Sequence, residues 1–154
     1  MLITLTMLLA VVLGAGYFFY QQYIHPIETY KEERLQKFIN YENSFNEKPN
    51  ISDAFRLIDW YFNDKKDNEK AIYFGNECIR LGVEKTPAGF LVNYQLSVIH
   101  KANNNYMLSK EHLLKALKLD KNNRIIKNEW IKEDGLCDIL SPEEMAGLSD
   151  VSNE

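Results

Sequence analysis

The sequence predicts an all-α protein, with an N-terminal transmembrane helix followed by a small bundle of antiparallel helix pairs. Three observations predict it. Residues Leu2 to Tyr20 carry no charged side chain. The remaining chain places its apolar residues at helical spacing, in segments separated by short runs of Asn, Asp, Lys, Gly and Pro. No segment alternates convincingly with the period of two that a half-buried strand needs.

The first segment, Leu2 to Tyr20, is 19 residues long. As a helix it spans roughly 28 Å, against a hydrocarbon core of about 30 Å. A helix satisfies its own backbone hydrogen bonds, which lipid demands. Tyr17, Phe18, Phe19 and Tyr20 cluster at one end, where amphipathic rings suit the headgroup level. A cleaved signal peptide is the rival reading. It wants a positive start, and only the terminal amine is available; Leu13 is also a poor residue three before a bond cleaved after Ala15. Gly14-x-Gly16 is not the GxxxG spacing and marks no dimerisation face. No Lys or Arg precedes the segment, whereas Lys31, Arg34 and Lys37 follow it. The positive-inside rule then favours the cytoplasm for the C-terminal part of a single-pass protein. The nearest of these charges lies eleven residues beyond Tyr20, so orientation stays open.

Pro26 is expected to separate this anchor from an amphipathic helix over Ile27 to Phe45, carrying Tyr30, Leu35, Phe38, Ile39 and Tyr41 on its apolar side. Residues 46–50 form a turn, after which Ser52 or Asp53 can cap a helix running to about Asn63. Asp64 to Asp67 is a polar turn. A further helix is expected from about Asn68 to Leu81, with Gly82 at the position that favours positive φ. Thr86-Pro87 opens the next, from about Pro87 to Ala102. Asn103 to Asn105 turns the chain into a helix from about Met107 to Leu119. A helix from Arg124 to about Lys132 follows, and Ser141-Pro142-Glu143-Glu144 reads as the capped start of a short last one.

Charge is unevenly placed. Of 18 basic and 22 acidic residues, all 18 basic ones lie between Gln21 and Lys132, while Glu133 to Glu154 holds seven acidic residues and no basic one. There is no basic run of the kind that marks nucleic-acid binding. The acidic tail reads as a solvated end, or as a docking tail for a basic partner. The two cysteines, Cys78 and Cys137, lack CxxC spacing; a bridge between them would need an oxidising compartment.

The chain repeats itself at an offset of 38 residues: Ala71 aligns with Ser109, Cys78 with Ala116 and Leu81 with Leu119. These segments resemble tetratricopeptide (TPR) repeats, and the period approaches the Sel1-like variety. Leu96 and Ser97 match the family's Leu-Gly pair, His100 its tyrosine, Ser109 its first alanine, Leu113 its phenylalanine, Ala116 its second alanine and Lys121 its proline. In the first unit Phe55, Ile58, Phe62 and Ala71 fit, while Asp59 and Gly75 depart from the pattern. The resemblance covers roughly Ser52 to Asn123. The chain is then expected to divide into the transmembrane helix 2–20, a linker and amphipathic helix over 21–51, TPR-like hairpins over 52–123, and capping helices with an acidic tail over 124–154. The TPR resemblance implies protein–protein binding.

No chemistry is evident beside this. His25, His100 and His112 form no HExxH, and no GxSxG, phosphate-binding loop or dinucleotide fingerprint occurs. No catalytic residue, metal ligand or cofactor is expected, and no small-molecule substrate. The aromatic excess is more informative, because Tyr and Trp are enriched at binding hot spots. Tyr61, Tyr73 and Tyr94 are the candidate partner-binding residues, expected to be partly exposed. The expected function is a membrane-anchored adaptor or accessory subunit of an envelope complex that binds a protein or peptide. An immunity or inhibitor protein that blocks a toxin or enzyme is the alternative.

Overall fold

The computed structural model describes residues 14–120 and 128–144. Every regular element among them is helical, and the chain divides into two units, Met1–Asn40 and Tyr41–Glu154.

In the first unit residues 14–19 are helical, a π turn follows at Tyr20–Ile24, and helix α1 begins at His25 and runs to Glu47. Pro26 was expected to break the chain here and does not. Proline has no N–H, and its ring crowds the carbonyl four residues back. The π turn widens the helix just before it, with His25 N–H reaching back to the carbonyl of Tyr20, which is a recognised way for a helix to absorb such a residue. Most of the expected anchor, Leu2 to Tyr20, falls outside the described residues. Among the described residues no helix is long and apolar enough to cross a membrane. The apolar side of α1 is less covered than its spacing predicts: Phe45 is buried, Phe38 and Tyr41 are half-buried, and Ile27, Tyr30, Leu35 and Ile39 are exposed.

The second unit holds two helical hairpins. The first pairs α2 (Ile51–Asp59), extended by a π turn at Trp60–Asp64, with α3 (Asn68–Arg80); the second pairs α4 (Gly89–Ala102) with α5 (Tyr106–Leu119). Helix α3 packs on α4 and joins them. A short helix α6 (Asn128–Glu133) and a 3-10 turn at Leu136–Ile139 follow.

The caps show why the helices start where they do. The cap of α2 is Asn50, ahead of the expected Ser52 or Asp53. Its side-chain oxygen accepts the Asp53 N–H at 2.9 Å, while its amide donates to the Asp53 carboxylate at 2.8 Å. Two orphan backbone and side-chain groups are thus satisfied reciprocally. Asp67 caps α3 through the Lys70 N–H, and Asn105 caps α5 through the Leu108 N–H. Gly82 follows α3 with φ +88°, as its position predicts. The expected start at Ser141 has the reciprocal form: Glu144 N–H donates to Ser141 Oγ at 3.2 Å, and Ser141 N–H to the Glu144 carboxylate at 2.6 Å.

The helices approach closely because small residues sit where they cross. Ala54, Ala71, Cys78, Ser97, Ser109 and Ala116 have no exposed surface. Around them pack Leu57, Ile58, Phe74, Leu96 and Ile99, and a second cluster of Phe90, Tyr94, Leu113, Ile131, Leu136 and Leu140. Each fully buried aliphatic side chain contributes about 1.5–3 kcal/mol by leaving water. Ala116→Trp is therefore expected to destabilise the hairpins by about 1–3 kcal/mol through overpacking, read as a lower urea midpoint; an unchanged midpoint would remove Ala116 from the crossing.

Candidate interaction surface

The first helices of the two hairpins set one stripe each against a common cavity. Helix α2 and its π turn supply Ile58, Asp59, Phe62 and Asn63; α4 supplies Tyr94, Gln95, Val98 and Ile99; Asp134, just after α6, closes one side. The spacing is the same on both: i, i+1, i+4 and i+5, one face of a helix. The cavity measures about 230 Å³.

The π turn shapes this edge. Lys65 N–H bonds to the Trp60 carbonyl at 3.1 Å, one residue further than in an α-helix. Both neighbouring rings, Trp60 and Tyr61, are buried, and Phe62 stays half-buried at the cavity.

Its polar groups are mostly acceptors. Asp59 accepts from Asn63 Nδ2 at 2.6 Å. The Tyr94 hydroxyl donates to Asp134, and burial, then that carboxylate, push the phenol's pKa up. Gln95 Oε1 is buried with no hydrogen-bond partner, although such atoms are paired in most structures. Among the described residues no Lys, Arg or His lines the cavity.

The three candidate tyrosines divide. Tyr73 is 53% exposed, whereas Tyr61 and Tyr94 are 6% and 7% exposed, which corrects the expectation that all three lie partly open. The cause is hydrogen bonding of their hydroxyls at the edge of the core. Tyr61 donates to Glu42 at 2.8 Å, accepts from Lys70 Nζ at 3.0 Å, and stacks on Phe74 with centroids 5.5 Å apart. Tyr94 is fixed by Asp134 and packs near Trp130. Only Tyr94 of the three lines the cavity. Asp59, Gln95, Val98 and Asp134 were not singled out from sequence; a signal existed in the matching i, i+4 stripes of the two first helices.

A second polar feature lies inside the α4–α5 hairpin. Asn93 donates to Glu84 and to the Gly89 carbonyl, and its Oδ1 receives His112 Nδ1 at 2.9 Å. Because that oxygen only accepts, the proton sits on Nδ1. His100 stacks on His112 with centroids 5.4 Å apart and planes 7° from parallel. Ser109 Oγ donates to the Ser97 carbonyl at 2.7 Å. Burial holds both imidazoles below their ordinary pKa, His112 at about 4.

Elsewhere a cavity of about 570 Å³ is lined by Lys101, Tyr106, Met107, Lys110, Asp138 and Ile139. Cys78 and Cys137 are free thiols, and burial pushes Cys78 up to about 12, so it is no nucleophile at neutral pH. Among the described residues no group of three His, Cys, Asp or Glu could hold a metal ion. Comparison with protein-family models, with curated proteins and with solved structures gives no match.

Proposed function

We propose that this chain is a membrane-anchored module of stacked, TPR-like helix pairs that binds a protein or peptide partner. The observation that carries the reading is the cavity shared by the first helices of both hairpins, with half-buried Phe62 and Val98 at its wall. One helix pair cannot bury its apolar face alone, so stacked pairs share a core and leave a face for a ligand. The repeat register is supported by burial: Ala71 and Ser109, and likewise Cys78 and Ala116, are fully enclosed equivalents 38 positions apart. The anchor is supported by the uncharged stretch to Tyr20 and by the exposed rings of Tyr17, Phe18, Phe19 and Tyr23 just inside or beyond it. Confinement to a bilayer would raise the module's effective concentration near other membrane-bound proteins.

The test crosslinks the full chain in intact membranes and compares wild type with Val98→Arg. A specific partner should be captured by the wild type and reduced about tenfold or more by the variant, as for a hot-spot loss. Equal capture by a folded Val98→Arg chain would remove the cavity from the binding surface. The acidic tail favours one variant of the reading, an inhibitor that covers a basic active site. In that case the captured partner is a single enzyme whose turnover stops in the complex.

A further inference from the structure

We infer that the cavity between α2 and α4 takes a cationic side chain, a lysine or arginine flanked by apolar residues in the partner's bound segment. The inference rests on the interaction-module reading and names the chemistry that its surface selects.

Size comes first. At about 230 Å³ the cavity exceeds the ~30 Å³ share of one water and falls below the roughly 300–1,000 Å³ of pockets for whole small molecules. That is room for one long side chain. Its walls, Ile58, Phe62, Val98 and Ile99, are apolar, and the methylene stems of Lys and Arg pack well on such surface while the charged head finds polar groups.

Charge decides the head group. Two carboxylates, Asp59 and Asp134, border the cavity, and no cation among the described residues lines it. The side-chain partners of both are neutral: the Asn63 amide for Asp59 and the Tyr94 hydroxyl for Asp134. The Lys101 ammonium bonds to the backbone carbonyls of Asp134 and Gly135 and faces the other cavity. The Tyr94 proton is already committed to Asp134, so that hydroxyl offers the cavity an acceptor. An anionic occupant would meet two like charges, and an apolar one would take water from both carboxylates without pairing either. A guanidinium or ammonium supplies donors to the carboxylates of Asp59 and Asp134, in the charge-assisted bonds that are the strong ones.

The test uses the full chain, isotopically labelled in detergent micelles, with three capped tripeptides: Leu-Arg-Leu, Leu-Lys-Leu and Leu-Gln-Leu, and with spermidine. The two cationic tripeptides should move the amide resonances of Asn63, Gln95 and Asp134 saturably, with the glutamine peptide about tenfold weaker or more. Asp59→Asn should weaken the arginine peptide to a similar extent and flatten its salt dependence. Asp134→Asn is the second variant, should the first fail to fold. Equal binding of the glutamine peptide overturns the inference. So does equal binding of spermidine, which has charge without flanking side chains, and so does an absence of shifts with any tripeptide. Failure here together with partner loss in Val98→Arg leaves the module reading standing; partner capture indifferent to Val98→Arg removes that reading whatever the tripeptides do.

Discussion

Leu96→Ala is expected to cost the hairpin unit about 2–5 kcal/mol, the range for deleting a fully buried leucine. Leu96 has no exposed surface and sits in α4 where that helix meets α3. Its δ-methyl lies over Gly75, so close that a Cβ built there would come within 2.5 Å of it. The two residues share one space. Gly75→Ala alone therefore sets two effects against each other: about 1 kcal/mol gained in helix preference and about 1–3 kcal/mol lost to overpacking. The second wins, because enclosed Leu96 has nowhere to move. In the double variant the alanine methyl enters the space that Leu96 vacates, so the two losses should sum to more than the measured total. A urea-denaturation cycle on the full chain in mild detergent reads this directly. Strict additivity would mean that the residues do not compete.

The second large effect is acid sensitivity centred on His112. Its pKa is lowered from 6.5 to about 4, chiefly by burial and then by the neighbouring His100, with Lys115 adding to this and Glu111 and Glu84 opposing it. His100 is shifted the same way, by burial. A base whose folded pKa lies below its unfolded value stabilises the fold only while neutral. That stability is fully present above pH 6.5 and is lost as pH falls through about 4. Linkage puts the loss from His112 at about 3 kcal/mol at most. Protonation also places a charge against a stacked second imidazole 5.4 Å away. His112→Gln should therefore flatten the fall in urea midpoint between pH 7.5 and pH 4.5, even if the variant starts lower. An unchanged slope would assign the acid sensitivity to the carboxylates.

The helical hairpins were legible because the evidence for them is local. Apolar spacing, Asp67, Gly82 and the asparagine run around Asn105 fix α3, α4 and α5 to within two residues of their expected bounds. Where local signals compete, the structure departs from what the sequence predicts. Pro26 looked like a break because a π turn leaves no plain mark in sequence. Asn50 was passed over as a cap in favour of Ser52 and Asp53, although all three are capping types; the choice falls on the residue that the extended backbone at φ −145° selects. Tyr61 and Tyr94 look like surface aromatics until their hydroxyl partners are known, and Glu42 and Asp134 lie 19 and 40 residues away. The cavity was illegible for the same reason. Its lining comes from three separate elements, and only their packing brings Asp59 and Asp134 to one opening.

The buried polar seam of the second hairpin also fixes alignment. Ser97, Ser109 and Ala116 already resist a slide of α5 along α4 by one turn, about 5.4 Å, because it would bring larger side chains into the close crossing. The seam adds to this. Such a slide would leave the Asn93 oxygen without His112 and part Ser109 from the Ser97 carbonyl, stranding polar groups in a dry interior. These few bonds thus act as a vernier mark between the two surfaces, and with the small residues they give the chain a single way to close the hairpin.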